Sequence, residues 1–399
     1  MRKNTTFRYA LIQIMLWGEF GFLISFAAPF LTEKLGLSDA VAGIVLAAAT
    51  GVAFLAQPVL TALIDRRELP VRRVLIVIGL LNAVFSAAAL FTQHSLALTT
   101  VLFALACVCL QVAPSFSNAL AMQGIRNGQS INFGLARGIG SLSFGICCRI
   151  TPLLIAYPPL GMNAVPLLGA VVAALLAVTA AMFPRTQTVA KQPCEKPVSA
   201  VMFFRENRRF FLVLLGVILL YIGHNTLSNY MFYVAQSKLG AKATQDSAAA
   251  LQGTALLISA AVELPTMFLF VRFVRRVRCD LLLLLSSAVM TLRLLLTLLL
   301  PGEIGLCLAQ LTQLGGYALF AVSTVYYVGT VIEKRNVVKG QTYLGAANTM
   351  GNLLAYLCGG LLLGAADSAV MLWVCIGISS LGMLCVGLFR ERVRKVVGT

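Results

Sequence analysis

Five charged side chains lie within long apolar stretches of this sequence. They are Glu19, Arg137, Arg149, Glu263 and Arg293. A charge at the centre of a bilayer costs about 3 kcal/mol on insertion scales, so a residue of this kind in an apolar span is a candidate for function. A carboxyl group in a low-dielectric setting can bind and release protons, and an arginine can hold anionic or hydroxylated groups.

Glu263 is the strongest candidate for a proton carrier. Pro265 follows it, and a proline frees a backbone carbonyl one helical turn earlier, so the helix can bend there. The alternative is a permanent ion pair with Arg293 or Arg137 that only holds helices together. Glu19, at the centre of the first apolar run, is either a second proton site or an anchor to a facing arginine. For Arg149 we expect a structural role.

Uncharged polar side chains recur at helical spacing in several apolar runs, which places each set on one helix face. These sets are Gln13 and Trp17; Gln111, Ser115 and Asn118; Tyr221, Asn225 and Asn229; Gln310, Gln313 and Tyr317; Asn348, Asn352 and Tyr356. Hydrogen bonding between helices is one explanation. A wet cavity lined by amides and aromatic rings is the other, and we favour it. His224 is either a hydrogen-bond donor to a substrate or a satisfied core histidine.

Several classes of function are excluded by what the sequence lacks. It contains no HExxH motif, nucleophile elbow or Walker motif, and only 2 histidines. We therefore predict no enzymatic activity, no cofactor and no metal centre. The formal net charge of +17 is not clustered on a soluble module, so a nucleic-acid partner is not expected either.

The composition is that of an integral membrane protein. Apolar residues make up 59% of the chain, charged residues 11%, and the mean hydropathy is +0.90. Twelve apolar runs are long enough to cross a bilayer. They are residues 9–31, 40–64, 74–91, 96–122, 133–156, 164–183, 210–234, 248–271, 281–300, 304–332, 342–363 and 369–389.

The positive charges define the orientation of these runs. Of the 31 Lys and Arg residues, 25 lie at the termini or in every second connection, and only Lys34, Lys238 and Lys242 lie in the others. Because cytoplasmic loops carry the excess of Lys and Arg, both termini are predicted to be cytoplasmic. The polar segment 184–209 is then a cytoplasmic linker between two halves, 1–183 and 210–399, with six runs each.

Two sets of six helices around a cytoplasmic linker resemble the major facilitator transporters, whose halves enclose a site near the midplane. The connection after the second run carries Asp65 and then the basic pair Arg72 and Arg73. This resembles the signature of that superfamily, an Asp-Arg followed by a basic pair. A carboxylate facing cations across a turn would form a latch that breaks during conformational change. A basic cytoplasmic turn explains the arginines equally well.

Further stretches are similar to lactose permease and its oligosaccharide, nucleoside and phenylpropionate relatives, which are proton symporters. They are Ala28-Pro29-Phe30, Ala56-Gln57-Pro58, Ala113-Pro114 and the segment Asn132 to Arg137. The resemblance implies that Arg137 grips the substrate and that Arg293 takes part in proton translocation. The helix 4 carboxylate of that permease is replaced by Ser117, and its helix 10 His and Glu by Gln313 and Gly316. Lactose is therefore not expected, and His224 with the polar stretch after it is closer to the nucleoside and phenylpropionate branch.

Together these features predict an all-α membrane protein with twelve spans and the major facilitator fold. The expected function is proton-coupled symport of a small polar solute, namely a sugar, nucleoside or aromatic acid, by a monomer in the bacterial inner membrane. Its partners would be the solute, protons and the lipid bilayer. An exporter or an uncoupled facilitator is the alternative within transport. A transporter-derived membrane sensor is the alternative from another class.

Overall fold

The structure is a computed structural model that describes residues 4–67, 69–184, 200–333 and 336–391. Within these residues the chain is helical and contains no strand. The α-helices are α1 (Asn4–Glu19), α2 (Ala27–Pro29), α3 (Asp39–Arg67), α4 (Val71–Phe91), α5 (Leu96–Arg126), α6 (Phe133–Ile155), α7 (Ala164–Met182), α8 (Ala200–Glu206), α9 (Arg208–Asn229), α10 (Met231–Leu239), α11 (Gln245–Arg276), α12 (Cys279–Leu299), α13 (Gly302–Leu311), α14 (Tyr317–Val331), α15 (Val337–Ala365) and α16 (Ser368–Phe389).

Twelve helical segments are long and apolar enough to cross a membrane. The predicted all-α fold with twelve spans is therefore confirmed. Of the predicted linker, residues 185–199 lie outside the described residues, and Ala200–Glu206 forms a short helix before α9 begins at Arg208.

The first span is not one continuous α-helix, although a single run over 9–31 is predicted. After α1 the chain forms a π-helix (Phe20–Ile24), then α2 and a second π-helix (Phe30–Lys34). Pro29 has no N–H to offer the carbonyl of Ser25 one turn earlier. The side chain of Gln252 replaces that donor, with its Nε2 2.5 Å from the carbonyl oxygen of Ser25.

The tenth span is also broken, between α13 and α14. A 3₁₀ turn (Thr312–Leu314) is followed by Gly315 and Gly316, so the predicted single run over 304–332 bends there. The carbonyl of Leu314, left without a helical partner, accepts a hydrogen bond of 2.5 Å from Oγ1 of Thr266. The break places Gln313 in the turn rather than on a regular helix.

The chain divides into two compact units. One comprises Met1–Lys191 with Ala243–Leu257, and the other Gln192–Lys242 with Ile258–Thr399. The N-terminal part of α11 thus belongs to the first unit. There Gly253 lies so close to the carbonyl of Cys148 that a side chain would not fit. The second unit has a buried core in which Phe210, Leu220, Phe320 and Val386 take part.

In the second unit, α9 and α16 approach each other through a pair of glycines. A Cβ on Gly216 would lie 2.8 Å from the carbonyl oxygen of Gly382, and a Cβ on Gly382 would lie 2.7 Å from that of Gly216. Small residues of this kind allow the backbones of two membrane helices to pack closely.

We expect Gly382→Leu to destabilise the second unit by about 1–3 kcal/mol, because the new side chain must push α9 away. The measurement is the thermal unfolding temperature of the detergent-purified protein. Gly377→Leu is the matched control on α16, since a Cβ at Gly377 meets no atom within 4 Å. Equal unfolding temperatures for the two variants would contradict the close packing.

Candidate functional site

A hydrogen-bonded polar cluster lies in the first unit. On α1, the Nε2 of Gln13 donates to Oη of Tyr9 (2.7 Å) and to Oγ of Ser117 on α5 (2.9 Å). The Oε1 of Gln13 accepts from Nε1 of Trp17 (2.9 Å). Tyr9, Gln13 and Trp17 are four residues apart and therefore share one helix face. Gln13 is fully buried and hydrogen-bonds to the side chains of Tyr9, Ser117 and Trp17.

Arg137 of α6 lies on the ring of Trp17. Its Cζ is 3.8 Å from the ring centroid, which is a cation–π contact. Its Nη1 donates to Oγ of Ser141 at 2.7 Å. Gly140 makes the approach possible, because a Cβ there would lie 2.7 Å from Cδ1 of Trp17. Two residues predicted to bind substrate, Arg137 and Trp17, are thus in direct contact.

The two other predicted substrate-binding residues of this unit, both on α5, stand apart from the cluster. Gln111 is half-buried and Asn118 is exposed. Within the described part of the chain neither side chain makes a hydrogen bond. Their neighbour Ser115 donates to Oε1 of Gln57 at 3.1 Å.

Glu19 points away from the polar cluster. It lies about 200° around the helix from Trp17, at the junction of α1 and the first π-helix. Its carboxyl group is fully buried, and its Oε1 accepts from Nδ2 of Asn82 on α4 at 2.5 Å. Among the side chains that the structure describes, none forms an ion pair with Glu19, and Oε2 has no hydrogen-bond partner. Of the two alternatives for Glu19, the structure shows no described arginine as an anchor and places the amide of Asn82 at its carboxyl group.

Arg293 is the centre of a second buried cluster, in the second unit. Its side chain is 2% exposed. Nε and Nη2 both donate to Oε1 of Gln310, at 2.9 and 2.6 Å, and Nη1 lies 3.1 Å from Nδ1 of His224. Gln310 is itself fixed by donating to the carbonyl of Leu306 and accepting from Oγ of Ser259. The predicted residues His224, Gln310 and Arg293 are thereby brought together.

Glu263, on α11, is held by the turn that breaks the tenth span. Nε2 of Gln313 donates to its Oε1 at 2.9 Å. The carboxyl group is buried. A carboxyl group held by a neutral amide can exchange its proton without first breaking that amide contact, because the amide donates to either protonation state.

Other predicted site residues of this unit differ in their burial and in their hydrogen bonds. Tyr221 is buried in the core and packs its ring against Phe320. Asn229 donates to Oδ1 of Asn352 at 2.9 Å, which links α9 to α15. Asn225 has a buried Nδ2 with no partner among the described residues, whereas Asn348 is exposed.

Of the predicted latch, Arg72 and Arg73 are described, and the side chain of Asp65 lies outside the described part. Nη1 of Arg72 donates to the carbonyl of Phe183 at 2.8 Å, at the end of α7, and Arg73 is exposed. The second unit contains a carboxylate–arginine contact of this type. Asp280, fully buried, binds Arg278 through both oxygens (3.0 and 2.8 Å). That hydrogen-bonded carboxylate raises the pKa of Arg278.

Sequence reasoning missed Tyr9, Asn82 and Asp280. Tyr9 precedes Gln13 by one helical turn, and Asn82 is the only amide in the apolar run of α4, so both signals were present. Asp280 follows Arg278 at the start of α12, in a basic connection equivalent to the one that contains Asp65. In the described residues, no group of three His, Cys, Asp or Glu side chains could hold a metal ion.

Comparison with known proteins agrees with this architecture. The chain is similar to the solved nucleoside transporter NupG, with a TM-score of 0.81, 15% identity and coverage of 97% of this chain and 99% of that one. It is also similar to an auto-inhibited POT family peptide transporter, with a TM-score of 0.77, 12% identity and 99% coverage of each chain. No curated protein sequence matches significantly.

Residues 6–375 match the MFS_1 like family, which accounts for nearly the whole chain. The predicted relationship to the major facilitator transporters, and with it the fold class, is confirmed. This chain belongs to the MFS_1 like family.

Proposed function

We propose that this protein is a secondary transporter that imports a small polar organic solute together with protons. The observation that carries the proposal is the buried carboxyl group of Glu263, held by a neutral amide in the same unit as the buried Arg293. In an apolar span such a group is retained at a cost in insertion free energy, and proton binding is the chemistry for which a carboxyl group is suited.

The contact between Arg137 and Trp17 supports a recognition role for the first unit. An aromatic face and a guanidinium group side by side suit a solute that has both a flat ring or sugar face and hydrogen-bond acceptors. Because the solved NupG is a nucleoside transporter, nucleosides are the first solutes to test, before sugars and aromatic acids.

In the proposed cycle, residues 1–183 and 210–399 rock against each other in a bacterial inner membrane, with both termini cytoplasmic. Asp65, Arg72 and Arg73 would form the cytoplasmic latch. Glu263 is the main proton carrier and Arg293 adjusts its charge. Glu19 is a second proton site.

We expect Glu263→Gln to abolish concentrative uptake while leaving equilibration of the solute intact, because glutamine cannot release a proton. The assay uses protein in liposomes with an inside-alkaline pH gradient and labelled uridine, then a pool of labelled nucleosides, sugars and aromatic acids. With one proton per solute, one pH unit can sustain about tenfold accumulation.

Glu303→Gln is the matched control for this experiment, since Glu303 is an exposed carboxyl group of the same unit. It should accumulate solute like the unchanged protein. Full accumulation by Glu263→Gln would remove Glu263 from the mechanism. If the unchanged protein only equilibrates the solute, or expels it, the facilitator or exporter alternative replaces symport. Glu19→Gln in the same assay should lower accumulation without preventing equilibration.

Trp17 offers a direct probe of solute binding. The chain contains 2 tryptophans, and Trp373 is 57% exposed, so Trp373→Phe leaves Trp17 as the only source of indole fluorescence. We expect uridine to change this emission, because it would displace or reorient Arg137 on the ring.

Arg137→Gln should raise the apparent Kd for uridine about tenfold or more through loss of charge-assisted hydrogen bonds. The control is Arg67→Gln, at an exposed position. Equal affinities of these two variants would show that Arg137 does not bind the solute.

A further inference from the structure

His224 is held in one orientation by two contacts. Its ring is stacked on that of Tyr317, with centroids 4.4 Å apart and an interplanar angle of 5°. Its Nδ1 lies 3.1 Å from Nη1 of Arg293. The two contacts restrict both the plane of the imidazole and the direction of its Nδ1.

Arg293 determines which imidazole nitrogen carries the proton. A guanidinium group has N–H donors and no acceptor, so Nδ1 must accept the hydrogen bond. The imidazole is then neutral, with its proton on Nε2. Gln310 prevents Arg293 from turning away, because its Oε1 accepts from both Nε and Nη2.

The Nε2–H of His224 has no assigned partner. Within the described part of the chain the imidazole of His224 contacts only Arg293 and Tyr317 as hydrogen-bond and ring partners, and the residue is 9% exposed. The next residue, Asn225, also has an Nδ2 without a partner among the described residues. Buried N–H groups in native proteins are nearly always paired, so the Nδ2 of Asn225, next to His224 in the sequence, points to a ligand at this site.

We propose that Arg293 is a positioning residue that fixes the Nε2–H tautomer of His224, and that this N–H selects solutes with a hydrogen-bond acceptor. This rests on the proposed transport function and deepens it. The fitting chemical class is a neutral solute with a carbonyl or unprotonated ring nitrogen on a flat ring, as in a pyrimidine nucleoside. A site that donates to such an acceptor discriminates strongly against an analogue that lacks it.

The tautomer can be measured without any solute. The chain has 2 histidines, and His94 is exposed, so His94→Gln leaves His224 as the only imidazole. We expect ¹⁵N NMR of histidine-labelled protein in nanodiscs to show a neutral ring with the proton on Nε2. In Arg293→Met the two tautomers should mix or exchange. With Arg293 present, a ring protonated on Nδ1 or on both nitrogens would overturn the proposal. A ring that keeps its proton on Nε2 alone in Arg293→Met would overturn it as well.

Two substitutions then test the donor itself in the binding of radiolabelled uridine to the purified protein. His224→Gln places an amide N–H near the position of Nε2, so its Kd for uridine should stay within about threefold of that of the parent protein. The side chain of His224→Asn reaches only the position of Nδ1, so its Kd should rise about tenfold. Thermal unfolding confirms that both variants are folded. Equal affinities of His224→Gln and His224→Asn would show that Nε2–H does not contact the solute.

A double-mutant cycle separates positioning from a direct role of Arg293. Arg293→Met should weaken uridine binding about tenfold when His224 is present and have little further effect in His224→Gln, because glutamine has no tautomers. An equal loss in both backgrounds would contradict action through His224. If the parent protein does not bind uridine at all, the nucleoside proposal fails, while the NMR result still decides whether Arg293 fixes the tautomer.

Discussion

The fold depends on one constraint, which is that a backbone carbonyl in a bilayer must find a donor within the protein. In the first and tenth spans a side chain supplies the donor that is missing at a break in the helix. The carbonyl of Ser25, opposite Pro29, is bound by Gln252, and that of Leu314 is bound by Thr266. Because each break is compensated, the helix can be irregular without exposing a polar group to lipid. The second break also places Gln313 beside Glu263.

The same constraint explains why amides surround the ionisable groups. Asn82 and Gln313 donate to the carboxyl groups of Glu19 and Glu263, while the oxygen of Gln310 accepts from Arg293. An amide can hold either an acid or a base because it carries both a donor and an acceptor. Unlike a formal counter-ion, it does not fix the charge of its partner. In the proposed mechanism this leaves Glu263 able to change protonation within a folded and hydrogen-bonded environment.

Much of this architecture follows from the sequence. Apolar length predicts the twelve spans, and residues spaced by four, such as Gln13 and Trp17, share a helix face because of the helical repeat. Spacing also places Glu19 on the opposite face. It does not say which neighbouring helix a face meets, so the partners Ser117 and Asn82 could not be derived. The sequence did not predict the breaks for a related reason. An apolar composition is equally compatible with a straight helix, and an interruption is stable only where tertiary hydrogen bonds satisfy the freed backbone groups.

The two arginines show how the partner decides what one residue type can do. The guanidinium of Arg137 lies on the face of Trp17, and its Nη1 donates to Oγ of Ser141. The N–H groups of Arg293 are directed at Gln310 and His224, which suits it to orienting a neighbour rather than to binding a solute directly. In the proposed mechanism Arg137 contacts the solute, whereas Arg293 acts through the imidazole of His224.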